Sequence, residues 1–176
     1  MKMNLPTKPK PVTILAAMPD GVAGIKATLA LMVNIVKASK TNFAVRTQAL
    51  DLVAALRQKD WMGEVRAIHQ FVRDDIRYVR DIHGVETLTI PNKLLVTRQS
   101  DCDDKALLTA ALLESIGHPA RFVAVGRNPG EFEHVLVETK LFTKGGHPQW
   151  VPLETTEPVQ VGWYPAGMPY RLVYNI

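Results

Sequence analysis

The segment SDCDDKALLTAALLESIGHPAR, residues 100–121, constrains the fold more than any other. Ser100 and Asp103 have the spacing of a capping box, and Gly117 and Pro119 mark a helix stop. Between these signals, ALLTAALLESI is apolar almost all round, and such a helix must be buried. The chain changes character after Pro119. ARFVAVG, FEHVLVET, QWVPLE and YRLVYNI are rich in β-branched and aromatic residues and predict strands, with GRNPGE and TKGGHPQ as turns. Before the segment the periodicity is helical. Residues 22–38 and 43–57 carry apolar side chains at helical spacing. A third helix is predicted from Trp61 to Tyr78, with Val65, Ile68, Phe71, Val72 and Ile76 on one face. Residues 80–99 read as a loop broken by Gly84 and Pro91. The fold class is therefore α+β: helices first, with the cysteine-bearing helix buried against an antiparallel sheet.

A chain of 176 residues fits one domain, residues 21–176, preceded by a proline- and lysine-rich flexible arm over residues 1–20. The net charge of +4 is mild, and no basic stripe with interleaved aromatics is present. Nucleic acid is thus not an expected partner. The apolar stretch GVAGIKATLALMVNIV is interrupted by Lys26 and Asn34 and reads as too short to span a bilayer. VTILAAM has only a faint likeness to a signal sequence and no convincing cleavage site. A cytoplasmic protein away from membranes is the expectation. The sequence is silent on oligomeric state.

Cys102 is the only cysteine, so no internal disulfide supports the fold. It stands at a predicted helix start, where the dipole favours the thiolate, among Asp101, Asp103 and Asp104, which oppose it. Each effect is worth up to ~1 kcal/mol at a partly exposed site, so sequence alone does not decide between them. A thiolate here would need a further cation, and a lone cysteine at such a place also fits a small buried hydrophobe. Five histidines are present. His69 lies in a helical pattern, and His83, His118 and His147 sit beside turn residues. His134 lies inside a predicted strand, on the face of Phe132 and Leu136. It is either a satisfied core histidine or one poised against a partner. An acid that orients it from downstream must be a glutamate, since no aspartate follows Asp104. Of Glu138, Glu154 and Glu157, the strand-end Glu154 is preferred.

The order of cysteine at a helix start, histidine on a later strand and acid at the end of the next strand resembles the transglutaminase-like superfamily, a branch of the papain-like cysteine enzymes. SDCDDKALLTAALLESIGHPAR resembles the family's G-D-C motif and its helix, with Ser100 in place of glycine. HVLVE resembles H-x-W-x-E without the aromatic. WVPLETT resembles W-x-x-L-D-P-T, with Glu154 for aspartate and Thr155 for proline. IHQFVRDDIRYVRD resembles the preceding helix. The resemblance covers residues 64–156, and the compact form resembles small bacterial and phage members. It implies a catalytic Cys102, His134 and Glu154, with Asp101 as the helix cap and no cofactor or metal. Backbone Cys102 N–H, Gln99 and Tyr78 are the candidate oxyanion donors. The implied activity is acyl transfer at an amide of a peptide or protein, ending in hydrolysis or amine transfer. A non-catalytic binding or assembly protein on the same fold is the alternative. A metal site on Asp101, Asp103 and His134 is disfavoured, because acids two apart on a helix do not face each other.

Overall fold

A computed structural model describes residues 21–80, 87–142 and 146–176. The arm predicted for residues 1–20, His83 and Gly84 lie outside these described residues. In chain order the elements are α1 (Gly21–Ser39), α2 (Phe43–Val53), α3 (Trp61–Asp75), β1 (Arg77–Tyr78), α4 (Pro91–Thr97), β2 (Gln99–Ser100), α5 (Cys102–Ser115), β3 (Ala120–Gly126), β4 (His134–Phe142), β5 (Pro148–Leu153) and β6 (Tyr170–Asn175).

Helix α5 is the centre of the molecule. Every residue from Asp104 to Leu113 is buried, and the helix contacts α1, α2, α3, α4, β3 and β4. This is what an apolar circumference requires. Its stop is as the sequence predicts: Gly117 takes a left-handed φ of 95°, and the His118 N–H bonds back to the Leu113 carbonyl at 3.0 Å.

The sheet has the order β5-β4-β3-β6, with every pair antiparallel. Ala124 opposite Val135 and Phe122 opposite Val137 belong to the main core with the helices. On the other face, Val123, Val125 and Leu136 form a second small cluster with Tyr164 and Met168. Burial on both faces explains why β4 runs apolar without a break from Val135 to Val137. It also separates Phe132, packed on the main core, from Leu136 in the second cluster.

Three sequence expectations change. Residues 80–99 are not all loop, for Pro91 opens α4 at its first helical position, where its missing N–H costs nothing. Helix α3 stops at Asp75 instead of Tyr78, because Arg77 and Tyr78 leave to pair in parallel with Gln99 and Ser100. Helix α1, at 19 residues, is long and apolar enough to cross a membrane by length and composition. Here its Leu29, Met32, Val33 and Val36 are buried in the protein core.

The turn after β3 is built on one glycine. A β-carbon at Gly126 would lie 1.7 Å from the Glu131 carbonyl oxygen. Only a residue without a side chain allows that approach. Gly126→Ala is therefore expected to displace the segment that leads into His134 and to cost about 1–3 kcal/mol. Urea denaturation beside the parent protein measures the loss.

Candidate active site

The start of α5 accounts for each of the three aspartates. Asp101 is the cap: its backbone is extended, and its Oδ1 accepts the Asp104 N–H at 3.1 Å. The Ser100 hydroxyl donates to the Asp101 carbonyl at 3.4 Å, so Ser100 and Asp103 do not form the capping box that their spacing suggests. With the cap at Asp101, the third helical residue is Asp104. Its buried carboxylate accepts the Thr89 backbone N–H at 2.6 Å and holds the segment before α4 against α5. Asp103 accepts the Cys102 thiol, with Sγ 3.3 Å from Oδ1.

Burial adds a third and larger influence to those of the dipole and the carboxylates. Burial pushes the Cys102 pKa well above the usual thiol range. The Asp103 and Asp101 charges push it further, against one backbone N–H donated by Val135. These influences favour the thiol over the thiolate.

His134 begins β4, opposite Val125 of β3. Its Nε2 is 2.6 Å from Glu154 Oε2. Glu154 follows β5, which pairs with β4, and this brings two residues far apart in sequence to one end of the sheet. Its other oxygen, Oε1, accepts both the N–H and the hydroxyl of Thr156, each at 2.6 Å. Burial alone would raise the Glu154 pKa. The bonds from His134 and Thr156 outweigh it, and the net shift is downward. A depressed carboxyl pKa stabilises the folded state fully above the unfolded value and loses that contribution as pH falls through the folded one. Stability of the parent protein is thus expected to fall as pH drops below 4.5, and Glu154→Gln should flatten part of that fall in urea melts taken between pH 3 and pH 6.

Two buried groups escaped the sequence reading. His69, on α3, puts Nε2 2.6 Å from the Glu154 carbonyl oxygen. Burial lowers its pKa, so it serves as a neutral N–H donor. Lys105 lies three residues after Cys102, inside the apolar run. Its Nζ donates to the carbonyls of Ile76 (2.7 Å) and Arg73 (3.3 Å) at the end of α3. Burial pulls its pKa down to about 8, opposed by the Glu154 and Asp74 charges. A lysine inside an apolar run is itself a signal, since such a charge is buried only when its donors find partners.

Cys102 and His134 both line a cavity of about 200 Å³, together with Asp101 and Asp103. Gln99 and Tyr78 are exposed, on the short strands β2 and β1, and are not among its lining residues. Glu138 does not approach His134. It is buried between Arg121 (2.6 Å) and Arg171. Glu157 and His147 are exposed, and His118 pairs with Glu64 at 2.6 Å. Among the described residues no group of three or more His, Cys, Asp or Glu side chains is arranged to hold a metal ion.

A buried helix that carries a cysteine in its first turn, packed on an antiparallel sheet that carries a histidine, is the fold of papain-like cysteine proteases. The transglutaminase-like superfamily profile matches residues 49–155, more than half of the chain, and the chain belongs to that superfamily. The match begins upstream of residue 64, where the sequence motifs start, and takes in the end of α2. Two solved structures share the fold. A candidate protease from Parabacteroides distasonis superposes with a TM-score of 0.55 at 18% identity, over 71% of this chain and 26% of its own. Calcium-bound LapG of Legionella pneumophila superposes with a TM-score of 0.52 at 15% identity, over 82% of this chain and 87% of its own. The chain thus spans about a quarter of the Parabacteroides protein and most of LapG. No curated protein matches the chain in sequence.

Proposed function

We propose that this protein catalyses cysteine-dependent acyl transfer at an amide bond of a peptide or protein, with Cys102 as nucleophile, His134 as base and Glu154 as its orienter. The observation that carries the reading is the 2.6 Å contact between His134 Nε2 and Glu154 beside a cavity that Cys102 also lines. A carboxylate on Nε2 fixes the tautomer with the proton there and leaves Nδ1 as the basic nitrogen. Nδ1 takes the thiol proton as Sγ attacks the carbonyl carbon and a carbon–sulfur bond forms. The imidazolium is stabilised by Glu154. It returns the proton to the nitrogen of the breaking carbon–nitrogen bond, and an amine leaves. The thioester is then opened by water, which completes hydrolysis, or by a second amine, which completes transfer. The Cys102 backbone N–H, in a helix first turn where such groups lack an intrahelical acceptor, is the candidate oxyanion donor.

The raised thiol pKa and the bond to Asp103 favour a second reading, a binding protein whose cysteine is inert. Alkylation with iodoacetamide separates the two. For an enzyme, His134→Ala slows labelling of Cys102 at pH 7 at least tenfold, because the thiol loses its proton acceptor. Equal rates in parent and variant would leave the binding reading standing.

A further inference from the structure

We propose that α1 and Phe132 form the pocket that selects the substrate, accepting one uncharged apolar side chain on the residue next to the amide that Cys102 attacks. The proposal rests on the acyl-transfer reading above. One wall of the cavity at Cys102 is Ile25, Thr28, Leu29 and Met32 of α1, apolar but for the Thr28 hydroxyl, and Phe132 lines it as well. Leu29 and Met32 are buried, so this wall is anchored in the core. Helix α1 lies wholly upstream of residues 49–155, so the wall comes from outside the part of the chain that the superfamily profile matches. It is therefore the natural place for a preference particular to this chain.

Size and charge define the occupant. About 200 Å³ is below the roughly 300–1,000 Å³ of sites that hold a whole small-molecule ligand, and suits a single side chain with its amide. Among the described residues no lysine or arginine lines the cavity, whereas Asp101, Asp103 and Glu133 do. An acidic side chain would enter against three carboxylates. A lysine ammonium would be drawn to those carboxylates but would give up water to reach them beside an apolar wall. An aliphatic side chain meets neither cost and gains apolar contact from four residues.

The test uses the full chain and four reagents that alkylate a thiol with loss of chloride: acetyl-alanyl-leucine, -phenylalanine, -glutamate and -lysine chloromethyl ketones. Chloroacetamide, which carries no side chain, is the reference. Rates of Cys102 labelling are divided by the chloroacetamide rate, so intrinsic thiol reactivity cancels. The leucine reagent is expected to exceed both charged reagents at least tenfold. Leu29→Ala, which enlarges the pocket, should shift the preference from leucine toward the phenylalanine counterpart. Ile25→Glu, at a half-buried position, should lower the ratio of the leucine rate to the chloroacetamide rate. Ratios near one in the parent, or a preference that neither variant moves, would overturn the pocket while His134-dependent chloroacetamide labelling leaves the acyl-transfer reading intact. Chloroacetamide labelling indifferent to His134→Ala would overturn that reading and the pocket with it.

Discussion

Glu154→Gln is expected to lower amide-bond cleavage or transfer by about 10⁴-fold, close to the effect of Cys102→Ala, although it changes a single atom. The reason is a hydrogen-bond count. Thr156 donates twice to Oε1, which fixes that atom as an acceptor. In the glutamine variant the oxygen must stay there, and the amide NH₂ then faces His134. Two donors cannot meet, so the imidazole gives up its Nε2 proton and carries it on Nδ1. The base that should receive the thiol proton is then already occupied. Cys102→Ala removes the covalent route itself, a loss on the order of 10⁴-fold or more. Its structural cost is small, about 1 kcal/mol, for a half-buried side chain bonded to Asp103 and to the Val135 N–H. Glu154→Asp keeps the tautomer and shortens the reach, so it should fall between these variants and the parent. Turnover of a peptide amide by purified variants, with urea melts alongside, checks the ranking. A glutamine variant as active as the parent would remove Glu154 from the mechanism.

Lys105→Ala is expected to be the most destabilising change at a polar residue, costing about 3–6 kcal/mol. Two terms add. Loss of the ammonium leaves the buried Ile76 carbonyl without its donor, worth about 1–3 kcal/mol, and the part-buried Arg73 carbonyl without one as well. Loss of the four-carbon stem opens a cavity beside α5, with a cost of about 2–5 kcal/mol in comparable truncations. These terms overlap, so the sum is less than their maximum. Against a total stability of roughly 5–15 kcal/mol, the variant is close to unfolding at room temperature. Lys105→Met fills the volume and should lose only about 1–3 kcal/mol. The pH dependence identifies the mechanism. Burial holds the folded Lys105 near 8 against an ordinary 10.5, so between these values the unfolded chain binds more protons. Stability contributed by this group therefore rises as pH increases from about 8 to 10.5. Urea melts at pH 7.5 and pH 10 should show that rise in the parent and lose it in Lys105→Met.

The helical layer, the strands and the buried α5 were legible because apolar periodicity and turn residues are local signals. The ends of elements were less so. Pro91 reads equally as a break or a first helical residue, and only its neighbours in space decide. The triad candidates were legible as an order of residues along the chain. What was not legible is everything that holds them. The capping-box spacing pointed to Ser100, whereas the cap is Asp101, as the resemblance implied, and the Asp104 carboxylate binds the Thr89 N–H. The double donation from Thr156, the His69 bond to the Glu154 carbonyl and the Lys105 tie to α3 all join residues through space. Sequence pattern carries residue type along the chain, not donor geometry across it.

The strand order has one more consequence. β5 and β6 form opposite edges of the sheet, so the chain that leaves Glu154 must travel across the full width of β4 and β3 before it can pair again. On the way it lays Tyr164 and Met168 over Val123, Val125 and Leu136, and Arg73 grips it at the Val159 carbonyl, 2.7 Å away. The candidate acid and the last strand are thus two ends of one strap. Engineering at the tail is accordingly not remote from the chemistry. A deletion that strips β6 would free the strap at its far end, bare the edge of β3 and slacken the segment whose first residue steadies the imidazole.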